Sequence, residues 1–553
     1  MEGLGERIKR LAVELTRVKS IVGTRGERDV ADMIYEKLKM LDYFQNHAGH
    51  LQLLDLKEDA LGRKNILGYI EGKEGAVKTV LCLGHIDTVG VEDYAELKED
   101  AVNPEKLKEK LSSIKFNPQT MAEIQSGDWI LGRGIFDMKT GVAALMVMLE
   151  EFSKKKDQMN ANLVFLGVAD EEGQSRGMLS GVEDLERLAR EKGWEFVAAV
   201  DTDYMTGKYQ GDEQKYVYIG SVGKLLPCFY IYGEETHVGE AFNGLDANLL
   251  ASEIMYQIDL CSDLCDVVED EVTVPPVSLQ QRDLKTEYSV QTANAVNTYF
   301  NFATHSKEPG EVLADCKRKA VIAFENVIKR LNEEYEKFCK LSGMEFKPLP
   351  WQAEVLTYEQ LYQNVKNEMG EKIDEIINRL SAELKAKEVD DREFSLAIVQ
   401  EVHKHYSDQN AKVIIYFSPP YYPHIYVKGE EERERRLLEA VNSAVGEAQK
   451  VYDYKVVIKK FYPYISDLSY CHISKNAASI SKLTDNMPAW MRSYTLPIQA
   501  IQNISMPVVN IGPYGKDAHK LSERVSKSYS FDAMPLILEK TLENLLINEF
   551  IDH

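Results

Sequence analysis

The sequence predicts an α/β layered domain interrupted by an inserted α+β domain. Three observations lead there. Short apolar runs alternate with amphipathic helical stretches up to about residue 203, alternating strands and long charged helices follow, and buried-strand character returns after about residue 455. The expected division is 1–221 for the first part of the layered domain, 222–455 for the insertion, and 456–553 for the second part. A chain of 553 residues exceeds a single core, in keeping with several domains.

Leu4, Ile8, Leu11, Leu15 and Val18 fall at helical spacing, and Val30, Ile34, Leu38 and Leu41 repeat the pattern after the break at 20–26. Residues 51–56, 65–70 and 79–83 read as short strands. A charged, helix-prone stretch over 92–125 shows little core pattern and is expected to be a solvated surface excursion. A helix over 141–152 and buried strands at 163–169 and 196–200 complete the first layer. The stretches 216–219, just before the insertion, and 225–232 alternate like strands, 247–260 is helical, and 289–304 is another strand candidate. Residues 311–343 and 357–388 read as a long helical arm, part of a helical insertion over about 305–405. A strand at 412–417 and a helix at 430–451 follow, then strands at 454–461 and 507–511 and a closing helix at 530–549.

The net charge of −23 argues against nucleic acid and anionic membranes as partners. No initial stretch has the pattern of a secretory signal, and no apolar run is long enough to span a bilayer. Seven scattered cysteines read as reduced thiols, so a cytoplasmic location is expected.

Function is written at the strand ends. The run 79–83 stops at Gly84 and delivers His85 and Asp87 together. Asp137 sits in Gly132–Gly141 just before a helix, and Asp170-Glu171-Glu172-Gly173 follows another strand. Asp201 ends the strand at 196–200, with Asp203 two residues on, and His519 follows the last strand. Open α/β sheets bind ligands beyond the carboxyl ends of their strands. Imidazoles and carboxylates together suit zinc, with cobalt or manganese as substitutes. Two such ions about 3.5–4 Å apart need one shared carboxylate, and an adjacent acid that does not ligate can move protons. Any one of these residues alone has a plainer reading. An acidic doublet is usually solvated, and a histidine at a strand end is usually structural. Five stretches ending in ligand-type residues make a metal site the better account.

At this set the chain resembles the dinuclear zinc family of aminoacylases, carboxypeptidase G and succinyl-diaminopimelate desuccinylase. The phrases GHIDTV, GRGIFDMKTG, DEEG and GPYGKDAH stand in the family order. The resemblance implies a zinc-exopeptidase-like catalytic domain, a mixed sheet flanked by helices, with an enlarged lid. It implies His85 and Asp201 on one metal, Glu172 and His519 on the other, and Asp137 bridging. Asp203 rivals Asp201 for its place. Asp87 would orient His85, and Glu171 would be the general base acting on water between the metals. His237, in a Gly-flanked lid phrase (233–248), would stabilise the oxyanion, although Glu240 replaces the family's proline. A homodimer through the lid is also implied.

The expected activity is hydrolysis of an amide bond in a small carboxylate-bearing substrate, an N-acyl amino acid or a dipeptide. PPYYPH and ISDLSY resemble members tied to arginine utilisation, which implies a place in arginine or ornithine catabolism. The alternatives are a metallo-exopeptidase on short peptides and a non-catalytic metal-containing binding protein. Asp467 is expected to cap or turn the chain, and His403 and His405 to face solvent.

Overall fold

A computed structural model describes residues 3–57, 59–209 and 211–548; residue 549, expected to end the closing helix, lies outside them. The chain divides into two compact units. Unit 1 comprises Met1–Ser221, Ile425–Ile473 and Pro497–His553, and unit 2 comprises Val222–His424 and Ser474–Leu496.

Unit 1 is built on an eight-stranded mixed sheet. In spatial order its strands are Leu51–Asp55, Lys64–Ile70, Asn162–Val168, Lys78–His85, Glu195–Asp201, Val508–Asn510, Lys215–Ile219 and Val456–Lys459. Four neighbours in the middle, from Asn162–Val168 to Val508–Asn510, run parallel. They read as near-continuous apolar runs because both faces are covered, the usual condition of parallel strands. Helix Thr140–Lys154 buries Val142, Leu145, Met146 and Leu149, and helix Leu4–Thr16 packs beside it. Since the central strands are parallel, His85, Asp201 and the loops after Val168 and Asn510 emerge at one sheet edge. A small antiparallel sheet joins Gly515–Lys516, Arg524–Ser526 and Trp129–Leu131.

Unit 2 holds a five-stranded sheet in the order Val277–Asp283, Ala295–Thr304, Gly223–Tyr232, Lys412–Tyr422, Val355–Thr357. The helical arm is one long helix, Pro309–Ser342, followed by Tyr358–Met369, Lys372–Ala386 and Asp391–Lys404. The expected helix over 357–388 is broken at Gly370, whose φ of +64° favours glycine.

Two expectations are corrected here. The boundary near 455 falls at 424/425, because helix Glu432–Val451 belongs with the closing helix Met534–Leu546; the Asn544 amide donates to the Ala440 carbonyl at 3.2 Å. Conversely, 474–496 joins unit 2, where Phe417 N–H donates to the Asn486 carbonyl at 2.7 Å. The 92–125 stretch is not a solvated excursion: Val91, Tyr94, Ala101, Leu107, Leu111, Ile124 and Leu131 form a buried cluster of their own.

Candidate metal centre

Strand Lys78–His85 is buried to its end, so His85 is presented with its ring only 3% exposed. Its Nε2 lies 3.0 Å from one carboxylate oxygen of Asp137. The other oxygen of Asp137 lies 2.9 Å from His519 Nε2, which is also 2.9 Å from Glu172 Oε1. Asp137 therefore stands between two imidazoles, one oxygen to each. Its loop enters helix Thr140–Lys154 through Gly134 (φ +80°), where a Cβ would lie 2.4 Å from the Thr88 methyl. The peptide between Asp137 and Met138 is cis.

Three sets of donors lie within 4.8 Å of one another: His85, Asp137 and Asp203; Asp137, Glu172 and His519; and His85, Glu171 and Glu172. Among the described residues Asp201 joins none of them. Asp201 still belongs to its strand, one carboxylate oxygen accepting from Thr202 N–H at 2.7 Å and the other from the Ser466 hydroxyl at 3.2 Å. Asp203 lies past the strand end and reaches the site. Asp203, rather than Asp201, thus stands in a donor set with His85 and Asp137.

Asp87, fully buried, accepts from the main-chain N–H groups of Glu171 (3.2 Å) and Glu172 (3.0 Å). It is 3.6 Å from His85 Nδ1, beyond hydrogen-bonding distance, so it fixes the acidic loop more directly than the ring. His237 lies in unit 2, on an exposed turn after strand Gly223–Tyr232, and its Nδ1 accepts from Gly239 N–H at 3.1 Å.

The electrostatics are those of a site rich in carboxylates. Burial opposes the charge on Asp137, but hydrogen bonds from His519 and His85 hold its carboxyl well below the usual range. Those to Asp137 and Glu172 push His519 up to about 10. Burial drives Glu171 well above the ordinary carboxylate range; His85 opposes this, while Glu172, Asp467 and Asp203 add to it. Burial raises Asp203 likewise, with Asp137 and Asp201 adding repulsion. Carboxylates converging with two imidazoles, in a cavity whose lining residues include no lysine or arginine, fit divalent cations, which would supply the missing positive charge. The cavity, of about 240 Å³, opens over Asp137, Glu171, Glu172, Asp203 and His519, walled by Tyr204 and Tyr464.

Several supporting residues escape sequence reasoning. Arg63 (4% exposed) donates to Asp170 at 2.5 Å and to Asp59 at 2.8 Å, and lies 3.3 Å from Glu27. Glu27 in turn accepts from Asp170 N–H at 2.9 Å. Glu523, fully buried, accepts from Gly134 N–H at 2.7 Å and pairs with Arg133 at 2.5 Å. Asp467 opens the 3₁₀ turn Asp467–Cys471, as expected of a residue that turns the chain, but it is also buried beside the site, and burial pushes its carboxyl up to about 8, with Asp87 and Asp201 adding repulsion. The only sequence signal for it is its place in ISDLSY, after a strand.

The chain is 36% identical over 545 residues to Protein RocB of Bacillus subtilis (strain 168), covering 98% of this chain and 95% of that one. It is 24% identical to a succinyl-diaminopimelate desuccinylase of Buchnera aphidicola, over 57% of this chain and 73% of the relative. The crystal structure of aminopeptidase PepT from Bacillus cereus shares the fold, with a TM-score of 0.53 at 14% identity, covering 98% of this chain and all (100%) of that one. The family model for peptidase family M20/M25/M40 matches residues 81–544, opening just before His85 and running past His519. With the paired donor sets and that match in hand, this chain is a metal-dependent hydrolase belonging to peptidase family M20/M25/M40.

Proposed function

We propose that the protein hydrolyses the amide bond of a small carboxylate-bearing substrate, an N-acyl amino acid or dipeptide, using two divalent ions of which zinc is the first candidate. The observation that supports this most is the division of Asp137 between His85 and His519, with Glu171 Oε2 4.0 Å from His85 Nε2. His85, Asp137 and Asp203 would hold one ion, and Asp137, Glu172 and His519 the other. Bound there, the ions supply Lewis acidity toward the carbonyl and acidify water.

The protein's own groups carry the protons. Glu171 takes a proton from the attacking water as its oxygen adds to the carbonyl carbon. It returns that proton to the amide nitrogen as the C–N bond breaks, leaving an amine and a carboxylic acid, whose remaining proton passes to the amine to give carboxylate and ammonium. Burial raises this carboxyl of Glu171, which makes its carboxylate a stronger base than a solvated one. Asp87 holds the main chain of Glu171 and Glu172 during both transfers. His237 is assigned to the developing oxyanion, worth about 3 kcal/mol where such a donor is well placed. The exposed edge strand Val277–Asp283, with Val277 and Leu279 facing solvent, supports a homodimer through unit 2. Among the described residues no helix is long and apolar enough to cross a membrane, in keeping with the cytoplasmic location we assign.

The test is metal content and turnover measured together for wild type and Glu171→Gln. The panel holds N-acetyl, N-formyl and N-succinyl amino acids and dipeptides, arginine and ornithine derivatives included. The expected result is two metals in both proteins and turnover lower by about 10²–10⁴ in the variant. A wild type that binds metal yet cleaves nothing would favour a non-catalytic binding protein.

A further inference from the structure

Between Val91 and Trp129 the chain folds as a small subdomain rather than a loop. It holds a 3₁₀ turn at Glu92–Leu97 and helices Pro104–Leu111 and Pro118–Ser126. Both helices open on an asparagine cap and a proline: the Asn103 side chain accepts from Lys106 N–H at 3.1 Å, and Asn117 from Thr120 N–H at 2.9 Å. Leu521, two residues beyond His519, packs against the subdomain's core.

The subdomain grips both loops that meet at one of the two metal sets. On the Asp137 side, Arg133 N–H donates to the Ala101 carbonyl at 2.8 Å. Its guanidinium pairs with Asp93 at 2.7 Å, lies over the Tyr94 ring at 5.1 Å, and reaches Glu523. On the His519 side, Glu123 takes Arg524 at 2.6 Å and 3.0 Å with one oxygen and Lys516 at 2.5 Å with the other. Lys516 and Arg524 face each other across the antiparallel pair whose connecting loop carries His519. In that loop Asp517 (φ +59°) and His519 (φ +63°) both adopt left-handed backbone, a conformation that persists only where surroundings impose it.

We propose that Glu123 is a positioning residue for His519, and that its clamp on Lys516 and Arg524 sets the affinity of the Asp137/Glu172/His519 metal subsite while leaving the His85/Asp137/Asp203 subsite, which lacks His519, unchanged. The proposal rests on the two-metal reading above. Glu123 touches no reacting atom; it clamps the two strands from which the His519 loop springs. Loss of its charge frees Lys516 and leaves the Arg524 guanidinium hydrogen-bonded only from within the loop, by Asp517 at 2.5 Å and the Ser522 carbonyl at 2.8 Å. The loop is then no longer tied to the subdomain by Glu123 and can shift, withdrawing one imidazole. His85 ends one strand of the large sheet and Asp203 follows another, so both keep their places.

The experiment is a stepwise Co²⁺ titration of the full chain, followed by visible absorption and by equilibrium dialysis. It compares wild type, Glu123→Gln and Glu123→Asp, with thermal unfolding run alongside. Wild type is expected to take up two equivalents. Glu123→Gln should bind its first equivalent as wild type does and its second roughly 10- to 100-fold more weakly, with Glu123→Asp recovering part of the loss. Two equivalents bound by Glu123→Gln within twofold of wild type would overturn the proposal, and so would equal weakening of both in a folded variant. If Glu123→Gln does not fold, Lys516→Met is read by the same criteria. Wild type that binds no metal would instead sink the two-metal reading.

Discussion

Replacing Arg63 by methionine tests what holds the acidic loop in place. The guanidinium lies among Asp59, Glu27 and Asp170, whose side chains are 3%, 0% and 7% exposed, while its own is 4% exposed. Methionine keeps much of the volume but strands three carboxylates without their cation. Removing one partner of a buried charge pair costs about 3–5 kcal/mol, so a loss in that range is expected at pH 7. The loss should also depend on pH. Glu27 is already pushed up to about 7 by burial and the charge of Asp87, with Arg63 pulling the other way. Without Arg63 it rises further, so the folded variant binds more protons than the unfolded chain from about 4.5 up through 7. Stability from this group is present below that window and lost as pH rises through it, so the deficit should be larger at pH 8 than at pH 5. Urea unfolding of both proteins at the two pH values measures it. A deficit under about 1 kcal/mol, or one no larger at pH 8, would refute the reasoning. Turnover should fall as well, since the Asp170 carbonyl accepts N–H bonds from Gly173, Gln174 and Ser175 and so shapes the loop bearing Glu171.

Two more outcomes follow from the geometry. Asp203→Asn should weaken metal binding at one subsite while Asp201→Asn keeps both ions, as metal analysis after dialysis will show; the reverse order would restore Asp201 as ligand. In unit 2, His403 is buried against the rings of Tyr230 and Tyr232, and burial holds its imidazole down at about 4. Its contribution is present above the unfolded value of 6.5 and lost as pH falls toward 4. His403→Phe should remove about 3 kcal/mol of that acid sensitivity, at about 1.4 kcal/mol per pH unit, and an unchanged pH profile of unfolding would count against the assignment.

What was legible in the sequence had a steep local signal. An apolar run cut off by His85, or by the acids after Val168, announces both a buried parallel strand and the rim it feeds. The choice between Asp201 and Asp203 was not legible, because it turns on where the strand's hydrogen bonding stops and which oxygen Ser466 engages. Arg63 and Glu523 look like ordinary surface charges in the sequence, since apart from the local Arg63–Asp59 pair their partners lie far away along the chain. The 92–126 subdomain was misread because its short helices each bury only two or three residues, too few for a strong period. The helix Glu432–Val451 resembles the lid helices in composition, and only its packing on the closing helix assigns it to unit 1.

The order of strands in the large sheet also bears on how the enzyme is made. Asn510 closes onto Asp203 through a 2.8 Å hydrogen bond to its carbonyl, across 307 residues of chain. At a synthesis rate of about 5–20 residues per second, roughly 15–60 s separate the two on the ribosome. Throughout that interval strand Glu195–Asp201 waits with one edge unpaired, an exposed template for any other extended chain nearby. His519 emerges later still, so the nascent protein carries its acids long before it can complete the centre that uses them. Hydrolytic competence is therefore among the last properties the chain acquires, and the wait is when binding by a chaperone would protect it most.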